Sequence, residues 1–408
     1  MTIKSHNGWF SKVAILLPVI ALLGCGELSA QTPAAARHYN VTTLPGLGGT
    51  SSGGNSINNR TWIAGYSKLT GDAARHAALW RNGRILDLGT LGGPNSSVIW
   101  SVKNTRGIIA GISQTSALEP LGELWSQQAF FSGPDAVKYI CLGFVWKQNQ
   151  GMTALPTLGH NNNGIATGVN DRGLVVGWAE NDCRDSTCVP PQVLQFRPVF
   201  WNTEDNNKIH ELPLRFGDTS GAATAINNSN EIVGISGICD QAVGRHSAKH
   251  AVLWRDGKVI KLGDLGAKWW NTPTAINERG DVVGFAGDPQ FPEGDILHGF
   301  IWTEEHGIQP LGALPNRTPA HVQSLAYGIN ERRQVVGLSC DADSVDCRAF
   351  IWENGVMRDL NDLKQTSYTA RLEQAKDIND RGEIAGRAVI NEDTGERAAF
   401  LAEPAGNR

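Results

Sequence analysis

The chain has 408 residues, 41% of them hydrophobic, with 47 Gly, 18 Pro and only 3 Met. That composition fits a turn-rich β protein and argues against a helical bundle. The formal net charge is −4 and no basic stripe runs along the chain, which argues against a nucleic-acid partner.

Residues 1–24 read as an export signal. Lys4 and Lys12 supply a positive start, and Val13 to Leu23 an apolar stretch of 11 residues broken only by Pro18. That stretch is too short to span a bilayer as a helix. It leads into Leu22-Leu23-Gly24-Cys25, which resembles the bacterial lipobox, where a small residue precedes a Cys that is acylated before cleavage. Leu23 is bulkier than the usual residue there, so cleavage after Ala30 without a lipid is the alternative. Acylation of Cys25 would anchor the protein in the cell envelope, with the outer membrane favoured because Gly26 is no inner-membrane retention residue. Membrane contact is then expected through the lipid alone. Residues 25–38 read as a flexible tether.

From residue 39 to residue 402 the chain repeats itself. Four pieces recur in fixed order. The first is Leu-x-x-Leu followed by Gly or Pro, at Leu44, Leu88, Leu155, Leu262 and Leu311, and more weakly at Leu212 and Leu360. The second ends in Asn: Asn58, Asn104, Asn170, Asn227, Asn277, Asn330 and Asn379. The third is an aliphatic pair before Gly, such as Val175-Val176-Gly177 and Val335-Val336-Gly337. The fourth ends in Trp at Trp80, Trp146, Trp201, Trp254, Trp302 and Trp352, with Leu401 in the seventh copy. Each piece is short and rich in β-branched and aromatic residues, as strands are. The aliphatic pairs are continuous rather than alternating, which marks strands buried on both faces. Seven four-strand units of about 50 residues predict an all-β fold, a seven-bladed β-propeller of four-stranded antiparallel blades. Residues 403–408 are left as a tail.

Two tight turns recur along the chain. Asn170-Asp171-Arg172-Gly173 and its equivalents place Asn where its side chain caps the turn, and Gly where φ is positive. Asn230 can replace that Gly, whereas Thr61 and Arg333 predict turns of another build. The second turn follows Trp, as in Trp80-Arg81-Asn82-Gly83. The seven Asn are therefore expected to be turn residues rather than catalytic ones, and the six Trp to fill equivalent gaps between blades.

His76-Ala77-Ala78-Leu79-Trp80, His250-Ala251-Val252-Leu253-Trp254 and His298-Gly299-Phe300-Ile301-Trp302 resemble the repeat of the bacterial HAF-type extracellular repeat proteins. Leu-Gly-Thr-Leu-Gly-Gly and Ile-Asn-x-x-Gly-x-Val-Val-Gly belong to the same pattern. The resemblance covers residues 39–402, although the leading His is missing in several copies. It implies secretion and a propeller-like fold, and no activity, cofactor or ligand.

Because strands alternate in direction, both tight turns must lie on one face and every longer connection on the other. Loops on a rigid scaffold are where binding residues gather, so the long-loop face is the expected site. Trp125, Trp269 and Trp270 lie in those loops and are candidates for a binding surface. Asp288, Glu293 and Asp295, in one loop with His298, and likewise Asp341, Asp343 and Asp346, could supply oxygen ligands to Ca²⁺; solvated loop charge is the plainer reading, and no other cofactor is indicated. No Gly-x-Ser-x-Gly, His-Glu-x-x-His or phosphate-cradling loop occurs.

Setting Cys25 aside leaves six cysteines, an even number that suggests disulfides in an exported chain. The favoured scheme is local, Cys183–Cys188 and Cys340–Cys347, leaving Cys141 and Cys239. The competing scheme joins neighbouring insertions, Cys141 to Cys183 and Cys188 to Cys239. The expected function is a non-catalytic surface binding or adhesion module for a glycan or protein partner. A glycan-acting enzyme using loop carboxylates and a structural envelope component are the alternatives. Paired acids would mark the enzyme.

Overall fold

The fold was analysed in a computed structural model, which describes residues 37–123, 130–131, 138–160, 162–241, 244–291 and 296–406. The export signal, Cys25, Trp125, Glu293 and Asp295 lie outside the described residues. Residues Arg37–Arg408 cluster as one compact unit.

Seven four-stranded blades follow one another. Strand β1 (Tyr39–Thr43) precedes blade 1, which comprises β2 (Gly48–Ile57), β3 (Ile63–Leu69), β4 (Arg75–Arg81) and β5 (Arg84–Asp87). Blade 2 holds β6 (Gly92–Ser97), β7 (Ile109–Leu118), β8 (Tyr139–Lys147) and β9 (Gly151–Ala154). Blade 3 holds β10 (Gly164–Val169), β11 (Leu174–Arg184), β12 (Leu194–Asn202) and β13 (Lys208–Glu211). Blade 4 holds β14 (Ser220–Ile226), β15 (Ile232–Gly237), β16 (His250–Arg255) and β17 (Lys258–Gly263). Blade 5 holds β18 (Thr272–Ile276), β19 (Val282–Gly287), β20 (Leu297–Thr303) and β21 (Gly307–Pro310). Blade 6 holds β22 (His321–Ile329), β23 (Val335–Asp341), β24 (Cys347–Glu353) and β25 (Val356–Asp359). Blade 7 takes β26 (Arg371–Ile378), β27 (Ile384–Asn391) and β28 (Glu396–Pro404) from the end of the chain.

Its fourth strand is β1 from the beginning. It pairs antiparallel with β28, Val41 opposite Ala402, Thr42 opposite Leu401 and Thr43 opposite Phe400. In sequence the chain enters the repeat near Tyr39 to Leu44 and leaves on Ala398 to Leu401, which predicts that Ala399-Phe400-Leu401 pairs with Val41-Thr42-Thr43; the pairing forms, one residue displaced. The pairing also reaches Tyr39 opposite Pro404, so the propeller runs two residues beyond residue 402. Gln365 clamps the joint: its side chain accepts from the Val41 N–H at 2.7 Å and donates to the Val41 carbonyl at 2.9 Å.

In each blade the Asn-terminated strand comes first, then the Val-Val-Gly type, the Trp strand and the Leu-Gly strand. The Gly after the aliphatic pair is required by close approach. A Cβ on Gly177 would sit 2.0 Å from the Ile165 carbonyl oxygen, and one on Gly337 would sit 1.9 Å from that of Leu325. Trp80, Trp201 and Trp254 are buried, and each indole N–H donates to the carbonyl of a Pro that precedes its blade: Pro45, Pro156 and Pro213, at 2.7–2.8 Å. The Leu-Pro signature thus supplies both a core side chain and an acceptor for the next blade.

The Asn residues do more than cap their turns. Oδ1 of Asn277 accepts from the backbone N–H of Arg279 and Asp281, while its amide donates across the blade gap to the Asn330 carbonyl at 3.3 Å. Asn58, Asn170, Asn227, Asn330 and Asn379 make the same inter-blade bond. Asn104 instead donates within its own blade, to Val102 and Ile108. The turns at Thr61 and Arg333 correct the expectation of a different build. Both residues sit at φ 57°, and their N–H groups donate to Asn58 and Asn330 as Gly173 does to Asn170. The side chains offset the left-handed strain by reaching the preceding blade: Thr61 Oγ1 donates to Glu383 at 3.1 Å, and Arg333 forks onto Asp281 at 2.8 and 3.0 Å.

The cysteines also require a correction. Cys188 is bonded to Cys239, and Cys340 to Cys347; Cys183 is free and exposed, and Cys141 free and buried. The close pair Cys183–Cys188 does not form because the blade 3 insertion runs alongside that of blade 4. Val189 donates to the Asp240 carbonyl at 2.9 Å and Asp240 to that of Thr187 at 3.0 Å, which sets Cys188 against Cys239. Cys340 and Cys347 are direct cross-strand partners in blade 6. Of the neighbouring-insertion scheme only Cys188–Cys239 is present, and Cys141 packs in an apolar cluster with Ile235 and Phe196.

Candidate functional site

A ring of near-identical blades makes its own control, because each position recurs seven times. In six of the blades, all but blade 2, pairing of the first two strands breaks register toward the end of the first strand, at a bulge that inserts one residue. That residue is Asn55 in blade 1, Thr167, Thr224 and Thr274 in blades 3, 4 and 5, Tyr327 in blade 6 and Lys376 in blade 7. Thr167 and Thr274 each donate to a carbonyl in the next blade, Ala223 at 2.9 Å and Ala326 at 2.8 Å, so they stitch the scaffold. Tyr327 and Lys376 depart from that role. The position after the motif Gly is Ile112, Trp178, Ile235, Phe285 and Leu338 in blades 2 to 6, but Tyr66 in blade 1 and Arg387 in blade 7.

These departures meet in three consecutive blades. Arg387 Nε lies 2.8 Å from Glu373 Oε2, and Arg387 donates to the Tyr66 hydroxyl at 3.3 Å. Arg397 reaches the same Glu373 oxygen at 3.4 Å. The Arg75 guanidinium lies 4.1 Å from the Tyr66 ring centroid. One Arg75 nitrogen donates to the Phe130 carbonyl, while its Nε is buried without a hydrogen-bond partner among the described residues. Lys376 Nζ stands 3.6 Å from the Tyr327 ring centroid. Burial pushes the Lys376 ammonium down to about 7, with Arg387 acting in the same direction and Glu373 against it. Burial alone would raise the Tyr66 phenol, but Arg387, Arg75 and hydrogen bonds from Ser51 and Arg387 together hold it below its ordinary value.

The first strands run toward the tight-turn face, so this cluster lies on the long-loop side of the ring. On the tight-turn side the residue before each Asn is Ile or Val, except Lys103 in blade 2. Lys103 reaches blades 6 and 7, donating to the carbonyls of Ile329 and Ile378 at 2.6 and 2.8 Å and pairing with buried Asp377 at 3.0 Å. Burial pushes the Asp377 carboxyl up, against Lys103, the Ile57 N–H and the Ser101 hydroxyl. A cavity of about 130 Å³ lies on this side, lined partly by Asp171, Glu278, Glu331 and Asp380. Those acids are committed to holding the ring: each accepts from the backbone N–H at the equivalent position of the preceding blade, as Glu331 does from Glu278 at 2.7 Å.

Of the loop residues singled out from sequence, those among the described residues meet only in part: Trp269, Asp288 and His298 come together, while Trp270, Asp341 and Asp346 have partners of their own. Trp269 lines a shallow groove with Lys268, Asp288 and Pro289 and meets the His246 ring edge-on at 5.0 Å. Trp270, at φ 62°, lies against Gly244 instead. Asp288 pairs with His298 at 2.8 Å, Asp341 accepts from the N–H of Val345 at 2.8 Å, and Asp346 pairs with Arg348 at 3.0 Å. No group of three metal-ligating side chains forms among the described residues.

Two loop acids that the sequence did not single out are brought together. The Gln192 side-chain amide bridges Glu123 at 3.2 Å and Glu180 at 3.0 Å. Their exposures of 1% and 0% leave no surface on which a substrate could meet the pair. The ionisable cluster too escaped sequence reading. Tyr66 and Arg387 were visible as departures from an apolar position, but Tyr327 and Lys376 needed the bulge to be placed.

The arrangement defines the protein as a β-propeller with a cluster of ionisable side chains where its last two blades meet its first. A solved structure supports the propeller fold. Virginiamycin B lyase from Staphylococcus aureus is similar at 9% identity with a TM-score of 0.52, over 90% of this chain and 99% of that one. A streptogramin B lyase aligns at 10% identity and a TM-score of 0.48, over 90% and 98%. The β-propeller domain of the trilobed protease from Pyrococcus furiosus aligns at 10% and 0.47, over 91% and 96%. No protein-family model matches the chain, and no curated protein matches it in sequence.

Proposed function

We propose that this is an exported, non-catalytic binding module, tethered to the envelope through acylated Cys25, whose ligand enters from the long-loop face into the channel. One observation carries the reading. Where the repeat departs from its scaffold residues, in blades 6, 7 and 1, the departures are ionisable and share one place: Tyr66, Lys376, Arg387 and Tyr327. Perturbed ionisable groups in a cleft mark functional sites. The two disulfides are compatible with export, and the HAF-like repeat supports it. The test is a glycan array probed with the processed chain carrying Cys25→Ser, beside its Lys376→Met and Arg387→Gln variants. The expected result is a set of bound glycans that both variants lose. Undiminished binding by both variants would move the site out of the channel.

A further inference from the structure

The channel cluster does not balance its charge. Among the described residues, Arg387 and Arg397 pair with Glu373, Arg75 and Lys376 lie close by over Tyr66 and Tyr327, and the one further acid acting on Arg397 is Glu392, which is already paired with Arg371. The charged groups that act on Arg75, Arg387 and Lys376 are each other, Tyr66 and Glu373. Glu373 is 9% exposed, and Arg75 is largely shielded under Phe130 and against Tyr66. Cations withdrawn from water are normally paired, because an unpaired one forfeits its hydration without a return. Half-buried cations elsewhere in the ring have such partners: Lys103 has Asp377 and Arg371 has Glu392. Among the described residues of blades 7 and 1, by contrast, three guanidinium groups and an ammonium share fewer acids than cations.

We infer that the ligand of this site is an oxyanion of two or more negative charges, small enough to enter the channel, with carboxylates as its charged groups: a free dicarboxylic acid, or the terminal units of a uronic-acid chain. The inference rests on the channel being the binding site. Arg75 and Arg387 approach Tyr66 from its face and its hydroxyl, so a ligand oxygen beside that hydroxyl would meet two guanidinium groups, whose planar geometry suits carboxylates. The Arg387 and Arg397 side chains are 25% and 35% exposed. A small acid or a chain end can reach groups so recessed, and the flat surface of a folded partner cannot.

The test is calorimetric titration of the processed Cys25→Ser chain at pH 6.5 and low salt, with succinate, digalacturonate and neutral digalactose, each repeated as a thermal-shift assay. Binding and a raised melting temperature are expected with an acid and not with digalactose. Preference for succinate or for digalacturonate identifies the free acid or the chain end as the source. Arg387→Gln should lower the acid affinity tenfold or more. Arg75→Gln, on a different strand, gives a second reading should the first variant misfold, and wild-type thermal protection is independent of both. Equal binding of digalactose and digalacturonate, lost on Arg387→Gln, would overturn the charge class and leave the channel site standing. Absence of binding or protection with either acid would overturn the inference. Glycans bound on the array independently of Arg387 would overturn the channel reading beneath it.

Discussion

At the scale of single residues, burial decides which ionisable groups report on pH. Glu123 is buried, and burial together with Glu119 pushes its carboxyl above the ordinary range, against N–H groups from Leu194 and Val193 and a contact with Glu180. A carboxyl whose folded value is raised binds its proton more tightly folded than unfolded. Its contribution therefore erodes as pH rises from the unfolded value through the folded one. Glu123→Gln keeps an acceptor for the two N–H groups and removes that penalty. The variant should gain melting temperature relative to wild type as pH rises from 4.5 to 8; a constant difference in a pH series would refute this. Lys376 titrates in the opposite sense for binding. Tyr327 from β22, Arg387 from β27 and Glu373 on its own strand face it. With a folded value near 7, its charge is present at pH 6 and gone at pH 8.5. Affinity for succinate should fall across that interval, and Lys376→Met should flatten the profile.

At the scale of elements, blades are joined by side chain-to-backbone bonds that recur once per repeat. Trp201 fills the gap at 1% exposure and donates to the Pro156 carbonyl at 2.8 Å. Trp201→Ala removes both, and chemical denaturation should show a loss of ~3–5 kcal/mol. The insertions are joined differently, by a covalent bond between blades 3 and 4. Cys188 and Cys239 are 51 residues apart, Cys340 and Cys347 only 7. On chain-entropy grounds the longer closure contributes about 4 kcal/mol and the shorter about 2. Cys188→Ser should accordingly cost more than Cys340→Ser in parallel melts. Non-reducing peptide mapping should return a Cys188–Cys239 peptide and leave Cys183 open to alkylation.

At the scale of the whole molecule, the ring is shut by five residues from one end of the chain. Strand β1 completes blade 7 through its ladder to β28, and Tyr39 and Val41 are buried there among Leu360, Leu372 and Phe400. Each blade packs on two neighbours, so an open ring exposes two blade faces rather than one strand edge. Removing residues 25–43 should therefore lower the melting temperature by well over the effect of a lost surface strand and broaden the transition. A sharp transition at the wild-type temperature would show that β1 is dispensable.

Repetition made the architecture legible. Seven Asn, seven Gly and six Trp in fixed order specify four strands, their alternation and the two tight turns per blade, because each reports a local need: a side-chain cap, space for a neighbouring carbonyl, a gap to fill. The order of the pieces alone assigned the long loops to one face and paired the chain ends. Other features were settled by contacts between blades. Thr61 and Arg333 could hold left-handed turns because Glu383 and Asp281 lie across a blade gap, which local turn rules do not see. Cys188 chose Cys239 over the nearer Cys183 because two insertions run side by side. Tyr66, Arg75, Tyr327, Lys376 and Arg387 come from five strands of three blades and carry no shared motif. Their convergence follows from closure, which brings the last blades of the chain against the first.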